Sequence, residues 1–114
     1  MQQKPEIQIE DLEKLDIRVG TIFNAQKVEG SSKLIKLEVD FGELGKRTIL
    51  TGMQMYYEPQ DFVGLQTIFL INLKPRKMMN LESQGMVLAL GLEDDAKPTF
   101  LIPKEKVENG EGVR

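Results

Sequence analysis

The chain has 114 residues, 40% of them apolar, and a formal charge of −3, which is enough apolar material for one domain with one core and leaves no room for a second. It holds no cysteine and no histidine, so disulfide scaffolds, thiolate or serine-histidine catalysis and Cys/His zinc sites are excluded within one chain, and a catalytic or metal role is not expected. No apolar stretch approaches the roughly 20 residues of a membrane-spanning helix, and Met1 to Glu6 lacks a hydrophobic signal core, so the expected compartment is cytoplasmic.

Residues 1–8 read as an N-terminal arm or linker and residues 9–114 as the domain. Within residues 5–16 a proline-led entry precedes a short helix, with Asp11 able to cap it, Glu13 in its first turn, and Ile9, Leu12 and Leu15 at three-residue spacing. From Asp16 the period becomes two. Ile17, Val19, Thr21, Phe23 and Ala25 fall on one face of a long strand, with Arg18, Asn24 and Gln26 on the other. Gly20 inside that strand suggests a bulge or a sharp bend around a small barrel. After the turn Glu29 to Ser32, Leu34 to Phe41 alternates again, with Ile35, Leu37, Val39 and Phe41 facing in. A hairpin loop at Gly42 to Gly45 leads to a third strand, Lys46 to Thr51.

The stretch Met53 to Gly64 is too irregular for a strand and suits a helical turn or two. Gln66 to Leu73 is apolar at nearly every position, as in a strand buried on both faces. Pro75 ends it, Met78 to Ser83 forms a loop or irregular hairpin, and Gln84 to Leu90 makes a fifth strand. Short extended pieces follow at Thr99 to Ile102 and Val113. Five strands with a helical turn between the third and fourth predict an all-β, five-stranded barrel of the oligonucleotide-binding (OB) type with short helices.

The charges are unevenly placed. Residues 1–29 and 91–114 each hold six acidic and four basic groups, whereas residues 30–90 hold six acidic and seven basic. Phosphate binding answers to the field of a patch and not to total charge, so the acidic balance does not exclude a nucleic-acid partner. The densest cations are Lys74, Arg76 and Lys77, beside the backbone-restricting Pro75 and the amide of Asn72. Arg76 combines charge with a planar guanidinium able to grip phosphate or stack on a base. Taken alone, this segment also suits an ordinary solvated basic turn. Ser32 and Lys33 lie in the loop between the first two strands, where OB barrels face ligands. Lys46 and Arg47 alternate, so one of them, Arg47, can join the same surface. Ser83 and Gln84 precede Gly85, and Met86 offers a soft apolar face. Tyr56, Tyr57 and Phe62 are the stacking candidates outside the strands, too few for a generic single-strand platform. The acidic pairs Glu10–Asp11 and Asp94–Asp95 read as solvated surface.

Five blocks occur in order: Asp16-Ile17-Arg18-Val19-Gly20-Thr21-Ile22, Val28-Glu29-Gly30-Ser31-Ser32-Lys33-Leu34, Arg47-Thr48-Ile49, Asn72-Leu73-Lys74-Pro75-Arg76-Lys77-Met78, and Ser83-Gln84-Gly85-Met86-Val87-Leu88-Ala89. Together they resemble the tRNA-binding domain found at the C-terminus of many methionyl-tRNA synthetases, in free-standing tRNA-binding proteins, and in chaperone-like relatives. The resemblance covers residues 9–114. It implies an OB fold with an added C-terminal β segment, non-catalytic binding of tRNA by shape and backbone, homodimerisation, and no cofactor. A covalently attached synthetase body is a further implied partner, and a membrane is not. By position it carries the RNA-contacting role onto Lys33, Asn72, Lys74, Arg76, Lys77, Ser83 and Met86, with Ser32, Arg47 and Gln84 as additional candidates. The chaperone-like branch implies protein binding by the same barrel.

Overall fold

The structure, a computed structural model, describes residues 2–91 and 96–114. Met1 and the pair Asp94–Asp95 therefore lie outside the described residues. Alternating apolar residues build strands β1 (Ile17–Lys27), β2 (Ile35–Asp40) and β3 (Lys46–Thr51), an antiparallel meander. A 3-10 turn at Gly42–Leu44 links β2 to β3, and a second at Pro59–Asp61 precedes β4 (Gln66–Leu70), which returns beside β1. The remaining strands are short: β5 (Arg76–Met78), β6 (Leu81–Ser83), β7 (Met86–Val87), β8 (Ala89–Leu90) and β9 (Thr99–Phe100). The main sheet runs β3-β2-β1-β4-β7, while β5-β6 and β8-β9 form separate hairpin-like pairs.

The curled sheet wraps a core in which Ile22, Ile35, Leu37, Val39, Phe41, Ile49, Phe62 and Phe69 are fully buried. Phe41 meets Phe69 edge to face at 5.3 Å, the preferred geometry for two aromatic quadrupoles. Gly20 is a packing glycine, and of the bulge or bend expected there no bulge occurs at it. A Cβ there would lie 2.6 Å from Val39 Cγ1 and within 2.9 Å of the Phe41 ring. The bulge sits three residues later, between Ile22 and Asn24. Phe23, next to the fully buried Ile22, stands outward against expectation, and Lys46 Nζ covers that ring at 5.2 Å from its centroid. An extra residue in one strand inverts the faces beyond it.

Three further boundaries depart from the sequence pattern. Helix α1 (Ile9–Glu13) starts earlier than expected, because Asp11 caps from inside its first turn, its Oδ2 accepting the Gln8 amide at 3.0 Å. The fourth strand stops at Leu70, and Asn72, Leu73 and the basic residues after them are exposed. The expected fifth strand breaks at Leu88, whose amide bonds the Ile68 carbonyl, so β7 and β8 join different partners.

Side chains complete the barrel where the ladder ends. The Gln84 amide donates to the Thr48 carbonyl (2.8 Å), and the Thr48 amide donates back to Gln84 Oε1 (2.9 Å). The Leu50 amide donates to Ser83 Oγ at 2.9 Å. These bonds satisfy the outer edge of β3, which would otherwise be an open template for strand pairing. At the other side, the C-terminal segment adds a partial strand to β1: the Val19 amide donates to Glu111, Gly110 donates to Val19, and Val113 donates to Ile17. Among the described residues, no helix is long and apolar enough to cross a membrane.

Candidate nucleic-acid interface

The basic segment lies on the hairpin β5–β6, which is closed by only two residues, Met79 and Asn80, between the paired Met78 and Leu81. Both have positive φ, 53° and 65°, as in the mirror-image turn whose twist matches a right-handed hairpin. Asn tolerates that conformation. For Met the left-handed region costs roughly 1–2 kcal/mol.

Pairing across the hairpin sets Arg76 opposite Ser83 and Lys77 opposite Glu82, so the Arg76 and Lys77 side chains leave on opposite faces. Arg76, Lys74 and Lys33 are exposed, and no carboxylate of the described residues pairs with them or with Lys77 within 4.0 Å. Arg76 Nη2 rests 3.9 Å from Met78 Sδ. The hairpin tip also reaches the loop between β1 and β2: the Met79 methyl lies 3.4 Å from where a Gly30 Cβ would sit. Lys33 follows three residues later, so its loop and the basic hairpin are neighbours.

That loop is firmly held. Ser31 Oγ accepts the amides of Lys33 and Leu34, each at 3.1 Å. Gln54 Nε2 donates to the carbonyls of Ser31 (3.0 Å) and Leu34 (2.7 Å), and the Gln54 amide donates to Lys33. Gln54 lies in a stretch without periodicity, so sequence reasoning missed it. Ser32, by contrast, is exposed and directed to solvent.

Four expected contact residues are occupied with the fold. Asn72 Oδ1 accepts the Asp16 amide (2.8 Å) and Nδ2 donates to Lys14 (2.7 Å), joining the end of β4 to the residues after α1. Arg47 Nη1 donates to the carbonyls of Ile71 (2.7 Å) and Gln84 (3.1 Å). Ser83 is buried, and its hydroxyl also donates to Gly85 at 3.0 Å. Gln84 spends its Oε1 on Thr48. These groups set where the hairpin stands. Met86, 51% exposed, faces outward beside them.

The expected stacking set contracts too. Phe62 is core, and Tyr57 packs against Phe62 and Phe100 while donating its hydroxyl to Pro98. A cleft of about 530 Å³ lies elsewhere, between the Gly42–Leu44 turn and the C-terminal segment. Glu43, Glu108 and Glu111 line it around Arg18, whose guanidinium already bonds Asp16 (2.6 Å) and Gly110 (3.0 Å). That balance repels phosphate. Among the described residues, no group of three carboxylates is placed to hold a metal ion.

Comparison with known proteins falls on the same elements. The family model described as "Putative tRNA binding domain" matches residues 17–112. The chain is 47% identical to the methionine-tRNA ligase of Archaeoglobus fulgidus over 113 residues, 99% of this chain and 17% of that one. It is 41% identical to the Clostridium acetobutylicum methionine-tRNA ligase over 111 residues, again 17% of that protein. It thus spans about a sixth of these relatives. Among solved structures, it resembles a MetRS related protein from Pyrococcus horikoshii (TM-score 0.90, 35% identity, 97% of this chain and 100% of the other). It also resembles the chaperone CsaA of Bacillus anthracis (TM-score 0.86, 29% identity, 96% and 100%).

Proposed function

Because the chain belongs to the tRNA-binding domain family, we propose that it is a non-catalytic module that holds tRNA by shape and backbone for a methionyl-tRNA synthetase, as its C-terminal domain, and works as a homodimer. The observation that carries this reading is the pair of adjacent basic elements: the held Lys33 loop and the β5–β6 hairpin with Arg76, none of whose cations forms an ion pair within 4.0 Å with a described carboxylate. Cations fixed on short, hydrogen-bonded elements lose little freedom when they engage phosphate. The ligase relatives are more similar in sequence (47% and 41%) than the P. horikoshii and B. anthracis proteins of its own size (35% and 29%), which favours the synthetase-linked reading over a free-standing one.

The test is a titration with unfractionated tRNA at several salt concentrations. Log affinity should fall with log salt at about −0.7 to −0.9 per phosphate neutralised, and Arg76→Ala should flatten that slope by about 1. Binding indifferent to salt would sink the reading. The likeness to CsaA supports a second reading, capture of unfolded polypeptide on exposed apolar surface. An unstructured peptide that displaces tRNA one for one would favour it.

A further inference from the structure

We infer that the hairpin tip, Met79 with Asn80, is a contact for an unpaired nucleobase, so that the module reads unstacked nucleotides in RNA and not phosphates alone. The inference rests on the tRNA-binding reading and deepens it. Local structure does not select Met at this position. Its φ of 53° belongs to the left-handed region, where a two-residue hairpin turn calls for Asn, Asp or Gly. The turn itself therefore does not account for Met here, and a backbone outlier of this kind motivates a functional reading.

The surroundings indicate what. Met79 is 50% exposed, yet its methyl reaches across to Gly30, so the side chain is steadied between the hairpin and the Lys33 loop. It forms an apolar spot at the tip of the hairpin whose first strand carries Arg76 and Lys77, with the exposed Asn80 next to it in the turn. A protein partner would more naturally meet a broader apolar surface than one side chain at the tip of a basic hairpin. A soft thioether at the tip of a basic hairpin, with an amide next to it in the turn, suits the flat face and polar edge of a base whose neighbouring phosphates the hairpin's cations can hold. The structure leaves few aromatics to do that work, since Tyr57 and Phe62 are spent on the core.

Met79→Gly separates this role from hairpin geometry, because glycine suits the turn better than methionine. With the 114-residue chain, affinities would be measured for unfractionated tRNA and for a blunt RNA duplex of about 20 base pairs, whose bases are all stacked. Met79→Gly should weaken tRNA binding roughly threefold or more, with an unchanged salt slope, no loss of thermal midpoint and no change for the duplex. Met79→Leu should retain tRNA affinity. If Met79→Gly binds tRNA like the parent chain, or loses tRNA and duplex alike, the inference is overturned. If the parent chain binds no tRNA, the underlying reading fails and takes this one with it.

Discussion

Ser83 illustrates how a residue's position can matter more than its chemistry. Its hydroxyl accepts from Leu50 and donates to Gly85 while buried, so it holds the hairpin to β3. Ser83→Ala leaves the Leu50 amide without a partner and should cost about 1–3 kcal/mol, read from urea unfolding. tRNA affinity should fall with it at an unchanged salt slope. A changed slope with intact stability would instead mean that Ser83 touches phosphate. Sequence reasoning found Ser83, Gln84, Asn72 and Arg47 as polar residues in suggestive places. It could not tell contact from scaffold, because, Gly85 apart, their partners are backbone groups 24 to 58 residues away.

At the scale of elements, β1, β2 and β3 were legible because a period of two in a half-buried sheet leaves its signature in hydropathy. The Phe23 bulge was not, since an inserted residue looks like any other until its partners are known. The β5–β6 hairpin reads in the sequence as a loop or irregular hairpin, without its register. Its two-residue turn carries Asn in the second place, but the first is a Met, which masks the usual signal. The hairpin sorts its cations: Arg76 shares a face with Ser83, and Lys77 stands across from Glu82. Lys77→Ala should therefore flatten the salt dependence of tRNA binding less than Arg76→Ala does, by well under one unit of slope in parallel titrations. An equal loss would place both cations on phosphate.

For the whole molecule, the N-terminal segment leaves a run of apolar side chains open. Ile7, Ile9, Leu12 and Leu15 are between 45% and 69% exposed, and α1 buries none of its residues. An apolar stripe left open on a single chain is what a twofold interface would cover. The double substitution Ile9→Asp, Leu12→Asp should shift the molar mass from dimer to monomer in light scattering, with the barrel's unfolding free energy changed by less than about 1 kcal/mol. A parent chain already monomeric at tens of micromolar would rule out the dimer.

The C-terminal segment runs antiparallel to the first residues of β1, with Val113 bonded to Ile17 at 2.8 Å. The polypeptide thus enters and leaves the barrel at one spot. A pull on the two ends loads the Val113 bond before those at Gly110 and Glu111, in the manner of a zipper, so the bonds yield singly and never share the force. Under tension the tail lets go first, while the five-stranded sheet and its hairpin stay whole.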